Sequence, residues 1–141
     1  MWLVFGGAAQ GKLDYAKSLL RDSEYQIFSL RESNWPVAKN EEQILIVCEL
    51  EAWVEAMEEK SEEELMASLE AELAKLSQSP LVLIMEERGC GIVPLGARER
   101  SLRERCGIVL RYLAERAKRV DRVMAAHGIC LKEPEAGECF L

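Results

Sequence analysis

Histidine is nearly absent from this chain, with His127 the single example in 141 residues. That scarcity argues against a zinc site, and its position after the last apolar run marks His127 as a surface or turn residue. The five cysteines (Cys48, Cys90, Cys106, Cys130 and Cys139) are odd in number and form no C-x-x-C pair. They read as free thiols in a reducing compartment, the cytoplasm. No apolar run approaches the roughly 20 residues needed to span a bilayer, and the N-terminus lacks the basic region of a signal peptide. Basic charge is not in excess either: 18 Lys and Arg against 25 Asp and Glu leave a net charge of -7. That argues against a general nucleic-acid binder, although the stretch from Arg98 to Arg122 is locally basic. There is no internal repeat and no low-complexity linker.

What is present fits one domain. An apolar content of 49% over 141 residues supports a globular chain with a sizeable core. Trp2-Leu3-Val4-Phe5 is long enough for a buried strand. It is followed by Gly6, four residues, Gly11-Lys12, and a helical pattern from Leu13 to Leu20. Strand, glycine-bounded loop, lysine and helix, in that order, is the context in which G-x-x-x-x-G-K means a phosphate-binding loop. Glycines let successive N–H groups turn inward, the helix N-terminus adds its positive end, and Lys12 supplies a full charge. The phosphate-binding residues are therefore Gly6, Gly7, Ala8, Ala9, Gln10, Gly11, Lys12 and Leu13. The motif departs at its last letter, because Leu13 stands where a Ser or Thr hydroxyl would bind Mg²⁺. A glycine-rich turn kept for packing, with Lys12 solvated, is the alternative reading.

Further along, Tyr25–Leu30 and Gln43–Cys48 read as strands, with Arg31–Asn40 a loop containing Pro36. Gln43–Cys48 is a continuous β-branched run, as in a parallel strand buried on both faces. Glu49–Leu76 is helical, with Trp53, Met57, Leu65, Leu69, Leu73 and Leu76 at helical spacing. The acidic cluster at 58–64 suggests a break, with Ser61 as N-cap and Glu64 completing a capping box. Those acids read as a solvated face rather than a metal site. Pro80 stops the helix, Leu81–Met85 is the next buried strand, and Glu86–Gly96 is a loop at its carboxyl end, where sites in open α/β sheets lie. Arg98–Lys118 is a basic helix with Leu102, Cys106, Val109, Leu113 and Ala117 on its apolar face, and Arg119–Ala126 is a last, weaker strand. The fold class is α/β: a single P-loop NTPase-like domain, residues 1–132, with a mostly parallel sheet flanked by helices, then a tail at 133–141.

At Glu87-Arg88-Gly89-Cys90-Gly91-Ile92-Val93-Pro94 the chain resembles the N-E-V-G-x-G-I-V-P segment of the adenosylcobinamide kinase / adenosylcobinamide-phosphate guanylyltransferase family of cobalamin biosynthesis. Arg100-Ser101-Leu102-Arg103-Glu104 and Gly107 fall in register with that family's R-x-F-R-D-x-x-G. Gly128-Ile129-Cys130-Leu131-Lys132 is similar to its G-[IL]-P-L-K, and Gly6–Leu13 to its G-G-A-R-S-G-K-S. The resemblance covers nearly the whole chain, which is shorter than family members, chiefly between Leu30 and Ile44.

The resemblance implies a purine nucleotide, GTP or ATP, accompanied by Mg²⁺, and a corrinoid, cobinamide, as second substrate. It implies a homo-oligomer, with the Arg98–Lys118 helix as a contact. Lys12 and Glu87 become the catalytic candidates, Lys12 on the β- and γ-phosphates and Glu87 positioning the cobinamide hydroxyl. Arg100 and Arg103, one turn apart, would meet a phosphate, a neighbouring subunit or surface acids. The departures matter as much. The family's H-x-x-R-P-x-x-W segment has no counterpart in Arg31–Asn40 beyond Trp35-Pro36, so guanylyl transfer through a covalent imidazole is expected to be lost. The family's V-D-C is matched by Val47-Cys48, which places Val47 at its metal-holding Asp and leaves Glu49, one place on, as the candidate metal residue. Kinase activity is thereby left open against an inactive nucleotide-binding or oligomeric interaction module of the same ancestry, or a protein using the fold for assembly only.

Overall fold

The computed structural model describes residues 1–21, 23–37, 42–89, 91, 94–137 and 141. Part of the expected 31–40 loop (38–40), three residues of the segment after the fourth strand (Cys90, Ile92, Val93), and Cys139 lie outside the described residues. The elements run β1 (Trp2–Gly6), α1 (Lys12–Leu20), β2 (Tyr25–Ser29), β3 (Ile44–Cys48), α2 (Leu50–Ala56), α3 (Glu62–Lys75), β4 (Leu81–Glu86), α4 (Ala97–Arg116), β5 (Arg119–Met124) and β6 (His127–Lys132). They form one six-stranded sheet in the order β2-β3-β4-β1-β5-β6. β1 to β5 are parallel, and β6 runs antiparallel to β5. The fold is the expected α/β arrangement, with β1, the strand that leads into the glycine loop, at its centre.

Strand side chains alternate between faces, so each apolar run divides between two cores. Leu3 and Phe5, Leu45 and Val47, Leu81, Leu83 and Met85 meet α2, α3 and α4 through Leu50, Val54, Leu65, Leu69, Cys106, Val109 and Leu113. Trp2, Val4, Ile44, Ile46, Cys48, Val82 and Ile84 face the other way, toward Ala16 and Leu20 of α1. This double burial is why β1, β3 and β4 show no polar alternation.

The expected break in the long helical stretch is real. The Ser61 side chain accepts from the Glu64 N–H (3.1 Å), and the Glu64 carboxylate accepts from the Ser61 N–H (2.8 Å), the reciprocal capping box that starts α3. Arg105 of α4 donates to the carbonyls of Met57 and Lys60, fastening the α2–α3 connection to α4.

One expectation needs correction. The last strand is not a single run to Ala126: β5 ends at Met124, Ala125 and Ala126 turn with left-handed φ of 50° and 64°, and β6 pairs back along β5. His127 heads that sixth strand, exposed at the surface. Leu141, at the end of the residues read as a tail, packs against the cluster beneath α1.

Candidate functional site

The site is built where β1 ends. A Cβ on Gly6 would lie 2.1 Å from the Val123 carbonyl oxygen, so only glycine lets β1 pass β5 at this height. From Gly6 the chain turns through Ala9 (φ 54°) and Gly11 (φ 80°) into α1. Gly11 is the N-cap and offers no side-chain cap, so the first N–H groups of α1 keep their positive end toward the adjoining cleft. Lys12 folds back over the loop and donates from Nζ to the Gly7 carbonyl at 2.7 Å.

The loop is fastened by the turn after the neighbouring strand β5. Gln10 accepts from the Ala125 N–H through its side chain (2.6 Å) and from the Ala126 N–H through its carbonyl (3.0 Å). Left-handed alanines cost on the order of 1 kcal/mol each, and this turn lacks the Asn-Gly usual at such positions. The bonds to Gln10 hold that strained turn against the glycine loop. The Gln10 side chain therefore serves the loop's shape, a role that its sequence position alone did not suggest.

A cleft of about 430 Å³ opens beside the loop, with Ala9–Asp14 on one wall. The opposite wall is Ile27 and Ser29 of β2, Cys48 of β3, Glu49, Glu51, and Ile84 and Glu86 of β4. Glu49, itself at φ 62°, accepts from the Ser29 hydroxyl and from Arg31 Nε (2.8 Å); these two partners, Ser29 first, hold its carboxyl below the usual range. Glu51 is 4% exposed, and its carboxylate accepts the Glu86 N–H at 2.9 Å. Burial, with Glu49 and Glu51 adding to it, pushes the Cys48 thiol up to about 11, which leaves it neutral at physiological pH.

Glu87 lies on the other side of the loop. Its carboxylate accepts from Arg122 Nε at 2.9 Å and lines a second cleft of about 480 Å³ with Gly7, Ala8, Arg88, Pro94 and Arg103. Lys12 and Glu87 are thus not in one cleft. The glycine loop stands between them, and Glu86 borders both spaces. Arg100 donates to the carbonyls of Pro94 and Leu95, and Arg103 donates to that of Gly89. Both arginines stitch the segment after β4 to α4.

The structure changes one alignment made from sequence. Val47 is fully buried on the three-helix face, whereas Cys48 turns toward the loop. The strand-end position facing the glycine loop is therefore Cys48, and the period of two along β3 carried that signal. Among the described residues, no group of three or more His, Cys, Asp or Glu is placed to hold a metal ion. The described cysteines Cys48, Cys106 and Cys130 are free thiols.

Residues 28–132 match the family model described as cobinamide kinase / cobinamide phosphate guanyltransferase. The chain belongs to that family. No curated protein matches it. In this cobinamide kinase / cobinamide phosphate guanyltransferase family member, the matched span runs from within β2 to the end of β6. It includes Cys48, Glu49 and Glu87, while the glycine loop precedes it, so the loop's role rests on its own residues and geometry. The family member's one histidine lies beside the loop-anchoring turn, His127 Nδ1 standing 2.7 Å from the Ala125 carbonyl oxygen. No helix among the described residues is long and apolar enough to cross a membrane.

Proposed function

We propose that this family member binds the phosphates of a purine nucleotide, GTP or ATP, in the cleft at the N-terminus of α1. The observation that carries the reading is the uncapped start of α1 together with Lys12, which lines the same cleft and whose ammonium is held over the loop by the Gly7 carbonyl. A phosphate entering there replaces a neutral carbonyl acceptor with a charged one, and charge-assisted bonds are roughly twice as strong. Gly6 to Leu13 form the cradle, and the N–H groups at the helix start complete it.

The second substrate, a corrinoid of the cobinamide type, is assigned to the cleft on the other side of the loop. There Glu87 is held in place by Arg122 beside Gly7 and Ala8, and it orients the acceptor hydroxyl. Guanylyl transfer is left out of the proposal, because the only histidine heads β6 and none stands in Arg31–Asn40. Binding without transfer is the favoured form, since Leu13 and Cys48 occupy the two positions from which such loops hold their cation.

Titration calorimetry of GTP and ATP against the wild type and Lys12→Ala tests the reading. Loss of a charge-assisted contact weakens binding by about ten- to a hundredfold. If wild type takes up neither nucleotide at millimolar concentration, the proposal fails.

A further inference from the structure

Loops of this kind hold a divalent cation with two protein donors: the hydroxyl that follows the lysine, and a carboxylate at the end of a neighbouring strand. Both positions can be located in this fold, and neither offers an oxygen. After Lys12 comes Leu13, whose side chain packs against the apolar cluster beneath α1. At the end of β3, Cys48 faces the cleft and belongs to that same cluster. Two donors that would face one ion are replaced by two side chains that pack in one apolar group.

The carboxylates nearby do not make up the loss: Asp14 lines the cleft from the first turn of α1, but among the described residues no three His, Cys, Asp or Glu groups are placed to hold a metal ion. The oxygens of Glu49 receive the Ser29 hydroxyl and the Arg31 guanidinium. Glu51 is buried on the Glu86 N–H, and Glu86 lies 3.8 Å from Arg88. The donor set therefore does not fit a resident Mg²⁺.

We propose that the glycine loop holds its phosphate ligand without a divalent cation, Leu13 and Cys48 together forming an apolar plug where the ion and its waters would otherwise sit. The proposal rests on the nucleotide reading above and narrows it. The ligand's charge is met by Lys12 and the N-terminus of α1 alone. A metal-bound nucleotide brings a hydrated ion that the plug cannot hydrogen-bond, so the metal-free form binds at least as well.

The test is the dissociation constant of inorganic tripolyphosphate and of GTP for wild type, in millimolar Mg²⁺ and in EDTA. The expected result is equality within about twofold, or weaker binding with Mg²⁺. A tightening of about tenfold or more on adding Mg²⁺ overturns the proposal and leaves the nucleotide reading standing. Absence of binding in both conditions removes the nucleotide reading, and this proposal with it.

A gain-of-function arm localises the effect. The double variant Leu13→Thr, Cys48→Asp, checked for native circular dichroism, is expected to acquire a Mg²⁺ tightening of about tenfold. A folded, ligand-binding double variant still indifferent to Mg²⁺ overturns the assignment of these two positions as the plug. Leu13→Thr alone is expected to shift in the same direction by less, and it avoids burying a new carboxylate. If neither variant folds, the comparison of Mg²⁺ with EDTA in wild type decides the matter.

Discussion

The two faces of the sheet are covered unequally. One lies under α2, α3 and α4, and its buried cluster is mostly aliphatic, with Phe28, Trp35, Trp53 and Tyr112 packed against it. The other lies under α1, with Leu141 packed beside it. There the fully buried Asp121 accepts from Trp2 Nε1 (2.5 Å) and Arg119 Nε (2.7 Å), and Tyr15 of α1 stands edge-on to Trp2. Gly128 of β6 leaves room for the Tyr15 ring, which a Cβ would approach to 2.0 Å. The closed face does the work of cohesion through apolar area. The open face adds the buried Asp121 and its two donors to its apolar contacts, and it keeps a cleft at the carboxyl ends of the strands, where a parallel sheet leaves space for a ligand.

If that division holds, damage to the two faces should separate stability from binding. The largest effect is expected from Leu69→Ala, which opens a cavity beneath α3 at a fully buried position. A loss of about 2–5 kcal/mol, or roughly 6–15 °C in Tm, should appear in thermal unfolding. Nucleotide affinity well below the transition should be unchanged. An equal loss of affinity would break the comparison.

A smaller effect of the opposite kind is expected from Gln10→Ala. It removes the side-chain anchor of the Ala125 turn while leaving the Ala126 bond to the Gln10 carbonyl. Affinity for tripolyphosphate should fall by about three- to tenfold, while stability falls by only about 1 kcal/mol. A large drop in Tm with intact affinity would place Gln10 on the stability side of the divide.

The smallest effect concerns Glu49. Its folded carboxyl lies below the ordinary value, so its contribution is present above about pH 4.3 and is lost as pH falls through the depressed folded value. The group is partly exposed, so the contribution is below about 1 kcal/mol. Denaturant unfolding of wild type and Glu49→Gln should differ slightly at pH 7 and converge in acid. A gap that widened in acid would reverse the sign.

Much of the architecture could be read before any coordinates. Trp2–Phe5, the β3 run and Leu81–Met85 are too short and too apolar to be anything but central strands, and Ser61 with Glu64 marked the start of α3. β6 could not. It is an edge strand, exposed along nearly its whole length, and contains Gly128 and Lys132. The turn before it is Ala-Ala, which carries no hairpin signal. The candidate site divides in the same way. Lys12 and its glycines were legible because they are neighbours in sequence. The anchoring of Gln10 by a turn more than a hundred residues away was not.

By itself, then, the sequence determined the order of the helices and of β1 to β5, the glycine loop with Lys12, and the loss of the loop hydroxyl at Leu13. Periodicity and motif spacing are local properties, and local backbone preferences suffice to express them. Only the tertiary structure decided that Cys48 rather than Val47 faces the loop, that Glu87 stands across the loop from Lys12, and that Glu49 is already engaged by Ser29 and Arg31. Along a strand, moving one residue carries a side chain through to the other face, and only the packed sheet shows which face looks onto the ligand.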